Sequence, residues 1–121
     1  MPRMLTVATV PDLLRAFLLP HARYFRARGW EVDAAARGLL AAYRLDQYFV
    51  HSTGHGLGLE VHEDPRLAKG QKTLLASGNV ITIEPGVYVA GVGGIRIEDD
   101  VAVHQGSSEV LTRASRDFIE L

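Results

Sequence analysis

Residues 80–104 read VITIEPGVYVAGVGGIRIEDDVAVH, and how this stretch is read decides the fold. Four runs, 80–84 (VITIE), 87–90 (VYVA), 94–98 (GIRIE) and 101–104 (VAVH), carry β-branched residues in alternation. Pro85-Gly86 and the glycines between 91 and 94 part them, a pattern that predicts short antiparallel strands. Side chains alternate across a strand, so Ile81 and Ile83 share one face and leave Thr82 and Glu84 on the other. By the same rule Arg96 and Glu98 stand opposite Ile95 and Ile97. If the two strands are neighbours in one sheet, Glu84 and Glu98 meet on a single face across from the apolar core. Two carboxylates brought together repel unless a cation or a shared proton lies between them. That is a physical reason to look for a metal.

Working back along the chain, residues 51–63 read HSTGHGLGLEVHE. Three histidines (His51, His55 and His62) and two glutamates (Glu60 and Glu63) are interleaved with glycines, which allow a tight backbone path. Each candidate has a plain structural role when taken singly. A glutamate on a polar strand face is usually solvated, a lone histidine is often structural, and an arginine beside two acids is usually their ion-pair partner. Only the combination argues for chemistry.

Further upstream the texture is helical. Leu13, Leu14, Phe17, Leu18, Tyr24 and Phe25 recur at helical spacing over 12–28, with Asp12 as cap, a break at Pro20 and a stop at Gly29. A second helix is predicted from Asp33, as its N-cap, through the alanine-rich run to Arg44. Tyr48-Phe49-Val50 suggests a short strand, and 113–121 a closing helix. Helices followed by an antiparallel sheet make an α+β domain, and no internal repeat or linker divides residues 1–121. Residues 1–19 read as an N-terminal extension.

The chain has 121 residues, of which 47% are apolar and 22% charged, values of an ordinary folded domain. A formal charge of −1 gives no general pull toward nucleic acid or anionic membranes. There is no cysteine, so any metal is held by nitrogen and oxygen donors. No apolar run approaches the roughly 18 residues of a membrane span, and the start lacks a convincing signal peptide. A cytoplasmic location is expected.

The ordered set GHGLGLEVHE, ITIEPGVY and GIRIED resembles the pita-bread metallopeptidases, which include methionine aminopeptidases, Xaa-Pro aminopeptidases and prolidases. His55 precedes His62 by seven residues and Glu84 by 29, and Glu84 precedes Glu98 by 14. VHEDP, VITIEPGVY and GIRIEDDV look most like the Xaa-Pro-cleaving branch, and VDAAAR (32–37) is similar to the helix before its histidine motif. The resemblance runs from about residue 20 to the C-terminus and implies half of a pita-bread fold.

It also implies roles. His55, Glu84 and Glu98 would ligate a divalent ion (manganese, cobalt, zinc or iron), with Glu84 also the proton-transferring acid/base. His62 would act on the substrate or the tetrahedral intermediate. His51 would line the pocket, and Arg96 would sit beside Glu98 on the substrate side. The implied chemistry is hydrolysis of an N-terminal Xaa-Pro bond by metal-activated water. The implied substrate is a peptide with proline at its second position.

One departure qualifies this. The family carries two more aspartate ligands eleven residues apart on an upstream hairpin, and no two of Asp12, Asp33 and Asp46 have that spacing. The expectation is therefore at most one ion per chain and impaired hydrolysis in isolation. Pairing as a homodimer, or with a complementing N-terminal half, is the expected partnership. Two other readings share the fold: a non-catalytic peptide- or protein-binding descendant, and a creatinase-like hydrolase.

Overall fold

A computed structural model describes residues 28–115 of the protein. The helix expected over 12–28, apart from its last residue, and the closing segment beyond residue 115 lie outside the described residues. Among the described residues, helix α1 (Gly29–Ala42) leads through a 3-10 turn (Asp46–Tyr48) to seven strands. They are β1 (Gly54–Gly56), β2 (Glu63–Leu67), β3 (Val80–Ile83), β4 (Gly86–Val89), β5 (Gly93–Arg96), β6 (Asp99–Val103) and β7 (Ser108–Val110). Every named strand pair is antiparallel, which gives the expected α+β class.

Two starting points differ from the sequence expectation. The helix begins at Gly29, with Arg28 at its N-cap, so Asp33 lies inside it and is not its cap. The N-terminal amides are satisfied from elsewhere: Gly29 N–H donates to the Thr73 carbonyl and Trp30 N–H to that of Gln71. Glu31 accepts from the Arg28 amide, placing its charge at the positive end of the helix. Asp33 is thereby free to point inward, and it is buried. Tyr48-Phe49-Val50 is not a strand either. Its polar neighbours close the 3-10 turn, and only Phe49 of the three is fully buried.

The five-stranded sheet has the order β2-β1-β3-β6-β7, while β4 and β5 form a separate two-stranded ribbon. The condition for a shared face, that the two glutamate strands be neighbours, is not met. The 80–83 strand pairs with 99–103, and the 93–96 strand pairs with 86–89. The ladder between β3 and β6 ends at Ile83 opposite Asp99, and the ribbon leaves from that point. Glu84 and Glu98 therefore stand one step past the last ladder pair, at the mouth of the ribbon, rather than inside one sheet face.

The core packs Val32, Ala36 and Leu40, spaced along one stripe of α1, against Phe49, Leu67, Ile81, Ile83, Val87, Val101 and Val103. β3 is buried on both faces, because Thr82 is only 1% exposed between the two isoleucines. β1 runs between β2 and β3, and its glycines serve that packing. A Cβ on Gly54 would run into the Thr82 carbonyl, and one on Gly56 into that of Asp64. These two glycines thus admit neighbouring strands, which gives a physical reason for the tight backbone path.

Candidate active site

His55 lies at the centre of β1 and is buried. Its Nδ1 stands 2.9 Å from the Gly56 carbonyl, an acceptor, so Nδ1 carries a proton and donates it. Nε2 is left as the nitrogen able to ligate, and it faces Glu84 Oε1 at 3.0 Å. An unprotonated nitrogen and a carboxylate oxygen at that distance need something positive between them. A proton on Nε2 supplies it, or a cation does.

Two threonines hold this pair. The His55 amide donates to Thr82 Oγ1 at 3.1 Å, and the Thr82 hydroxyl donates to Glu84 Oε1 at 3.0 Å. The Glu84 amide donates to the Thr53 carbonyl at 2.7 Å. Thr53, fully buried, gives its own hydroxyl and amide to Asp33 Oδ1. Asp33 Oδ2 accepts from Arg37 Nε at 2.9 Å, and the rest of that guanidinium donates to the carbonyls of Phe49 and His51. The same guanidinium lies over the Phe49 ring, 4.5 Å from its centroid. Helix α1 thus grips the segment 49–53 just ahead of His55 and, through Thr53, the backbone of Glu84.

The other side is looser. Arg96, at the end of β5 and half exposed, reaches Glu84 Oε2 at 3.6 Å and Glu98 Oε2 at 3.8 Å. It therefore stands between the two carboxylates whose repulsion the sequence raised. His62 is exposed, and its ring lies 4.2 Å from that of His55. His51 is anchored by Nδ1 at 2.8 Å from the Ser52 carbonyl, while Nε2 meets the Tyr88 hydroxyl at 3.0 Å. Glu63 accepts from the Glu60 amide and braces the glycine loop, a scaffold role.

Of the six sequence candidates, His55, Glu84, Arg96 and Glu98 form one connected chain of contacts, and His62 joins through His55. His51 stands apart, paired with Tyr88. Among the described residues no three His, Asp or Glu side chains form a group able to hold a metal ion. His55 and Glu84 do fit one as a pair. Two donors each about 2.1 Å from an ion and roughly at right angles stand about 3 Å apart, which is the separation of this pair. Glu98, across Arg96, is the candidate that does not converge on them.

Sequence reasoning missed Thr82, Thr53, Arg37 and Tyr88. Alternation already placed Thr82 on the Glu84 face, so its signal was present. Thr53 and Tyr88 carried none.

Residues 9–105 match the metallopeptidase family M24. The Xaa-Pro dipeptidase of Pyrococcus horikoshii is 48% identical over 89 residues, covering 74% of this chain and 25% of that protein. The crystal structure of the prolidase from Pyrococcus horikoshii superposes with a TM-score of 0.83 at 39% identity, over 93% of this chain and 32% of that one. The Xaa-Pro dipeptidase structure from Bacillus anthracis does so with 0.83 at 38% identity, over 95% and 33%. The chain thus spans about a quarter of the length of the curated relatives it matches and about a third of the solved ones. The α+β arrangement is the part of the pita-bread fold that these structures share with it. With a family match across most of its length, and the histidine and glutamate motifs gathered at the end of one sheet, the chain belongs to metallopeptidase family M24.

Proposed function

We propose that this chain is the C-terminal part of a metal-dependent peptidase that hydrolyses the bond between an N-terminal residue and a following proline. The observation that carries the proposal is the His55–Glu84 pair, a ligand-ready nitrogen 3.0 Å from a carboxylate oxygen at a largely buried position. A divalent ion is what membership of a metallopeptidase family implies. His55 and Glu84 would hold it, with Glu98, now facing Arg96, as the further carboxylate donor. When bound, such an ion supplies an activated water and polarises the scissile carbonyl.

The chain's own groups do the rest. The Glu84 carboxylate, oriented by Thr82, would take and return the proton as acid/base. His62, exposed beside His55, hydrogen-bonds the substrate or the intermediate. His51 with Tyr88 lines the pocket for the peptide, and Arg96 balances the carboxylates on the substrate side. With so few donors, at most one ion per chain is proposed, of manganese, cobalt, iron or zinc. The proposed partners are a peptide with proline second, and a second copy or complementing N-terminal half. Among the described residues no helix is long and apolar enough to cross a membrane, and the proposed location is the cytoplasm.

The second reading, a peptide-binding descendant without turnover, is favoured by one observation: no group of three donors forms among the described residues. Metal stoichiometry and hydrolysis of an Xaa-Pro dipeptide on the purified chain separate the two. One ion, with slow turnover, is the expected result. No ion under excess manganese would favour the binding module, and two tightly held ions with full turnover would overturn the single-ion part.

A further inference from the structure

We infer that Thr82 is a positioning residue that sets the ligand pair, by tying the backbone of His55 to one chosen oxygen of Glu84. The inference rests on the metal-binding reading above and adds to it a residue that neither ligates nor touches substrate.

Thr82 is 1% exposed and sits between two buried isoleucines on β3. Valine has the same shape and suits such a strand at least as well, while a buried hydroxyl is costly unless bonded. Here it is bonded on both sides. Oγ1 accepts from the His55 amide at 3.1 Å and donates to Glu84 Oε1 at 3.0 Å. A hydroxyl carries one proton, so that proton is committed to Oε1 and leaves Oε2 to Arg96. Oε1 is also the atom that faces His55 Nε2. One side chain therefore decides which carboxylate oxygen meets the histidine, and links the two ligands across neighbouring strands. Partners of this kind, behind the ligands themselves, commonly alter metal affinity by about 10–100-fold.

A merely structural threonine would also be buried and bonded, so the test must separate the two. Manganese(II) binding is measured by calorimetry on the full 121-residue chain and on Thr82→Val and Thr82→Ser, with His55→Ala as control. Removal of the hydroxyl in Thr82→Val is expected to weaken binding about tenfold or more, while Thr82→Ser, which keeps it, stays within about threefold. The metal-free chain gives an independent signature. In Thr82→Val the His55 amide exchanges its hydrogen at least about tenfold faster and the His55 Nε2 resonance moves. In Thr82→Ser neither changes. If Thr82→Val does not fold, Thr82→Ala carries the same comparison.

Binding by Thr82→Val within about twofold of the parent, with His55 resonances unmoved, overturns the inference; loss of binding in His55→Ala then leaves the metal reading standing. If the parent chain takes up no manganese, the metal reading fails instead. The metal-free resonances then still decide whether Thr82 positions His55 and Glu84.

Discussion

On the sheet side of the site, His55, Thr82 and Glu84 are joined through buried backbone by contacts of 3.0 to 3.1 Å. On the ribbon side, Arg96 reaches Glu84 and Glu98 at 3.6 and 3.8 Å from a half-exposed position. The first set is over-determined: each polar atom has a partner that is itself held, back through Thr53 to Asp33 and Arg37 on α1. The second consists of long side chains on a two-stranded ribbon, which has little stability of its own. The difference shows how one small domain combines a tightly held side with a looser, more exposed one.

The largest expected effect lies on the rigid side. Gly54→Ala places a methyl group against the Thr82 carbonyl, backbone against backbone, where no side chain can yield. A loss of about 4 kcal/mol or more is expected, read as an unfolded chain by circular dichroism. A Gly54→Ala chain with normal stability would break the claim that β1 and β3 are locked together.

Asp33→Ala comes next. It leaves the fully buried Thr53 hydroxyl without its acceptor and Arg37 without its carboxylate. Arg37 remains about a third exposed, so water recovers part of the loss. A destabilisation of about 2–3 kcal/mol is expected in urea denaturation. A value below about 0.5 kcal/mol would mean that α1 does not support the site.

The smallest effect belongs to the ribbon. Arg96→Ala should change stability by no more than about 1 kcal/mol, as for other exposed ion pairs, with an almost unmoved thermal midpoint. A larger loss would sharpen the comparison in the other direction, by showing that relief of repulsion between Glu84 and Glu98 holds the ribbon in place.

Much of this was legible in the residues. The strand runs near 81, 87, 95 and 101 were placed by alternation alone, and Thr82 was assigned to the Glu84 face. That this face is an interior one was not legible, since alternation tells which side a residue takes and not what covers it. Asp33 shows the same limit. Its type and position suited an N-cap, yet the loop at 71–73 satisfies the helix amides and Asp33 turns inward to Thr53. Glu84 and Glu98 would share one sheet face only if their strands were neighbours. They stand instead where the ribbon leaves the sheet, with Arg96 between them, because 80–83 and 93–96 pair with other strands.

By itself the sequence determined the family and the strand runs near 81, 87, 95 and 101, because motif spacing and side-chain period are local properties of the chain. Only the tertiary structure decided that His55 presents Nε2 to Glu84, that Thr82 links them, and that Arg96 keeps Glu98 apart. Those outcomes depend on which strands pair, in what register, and which polar atoms burial leaves in need of a partner.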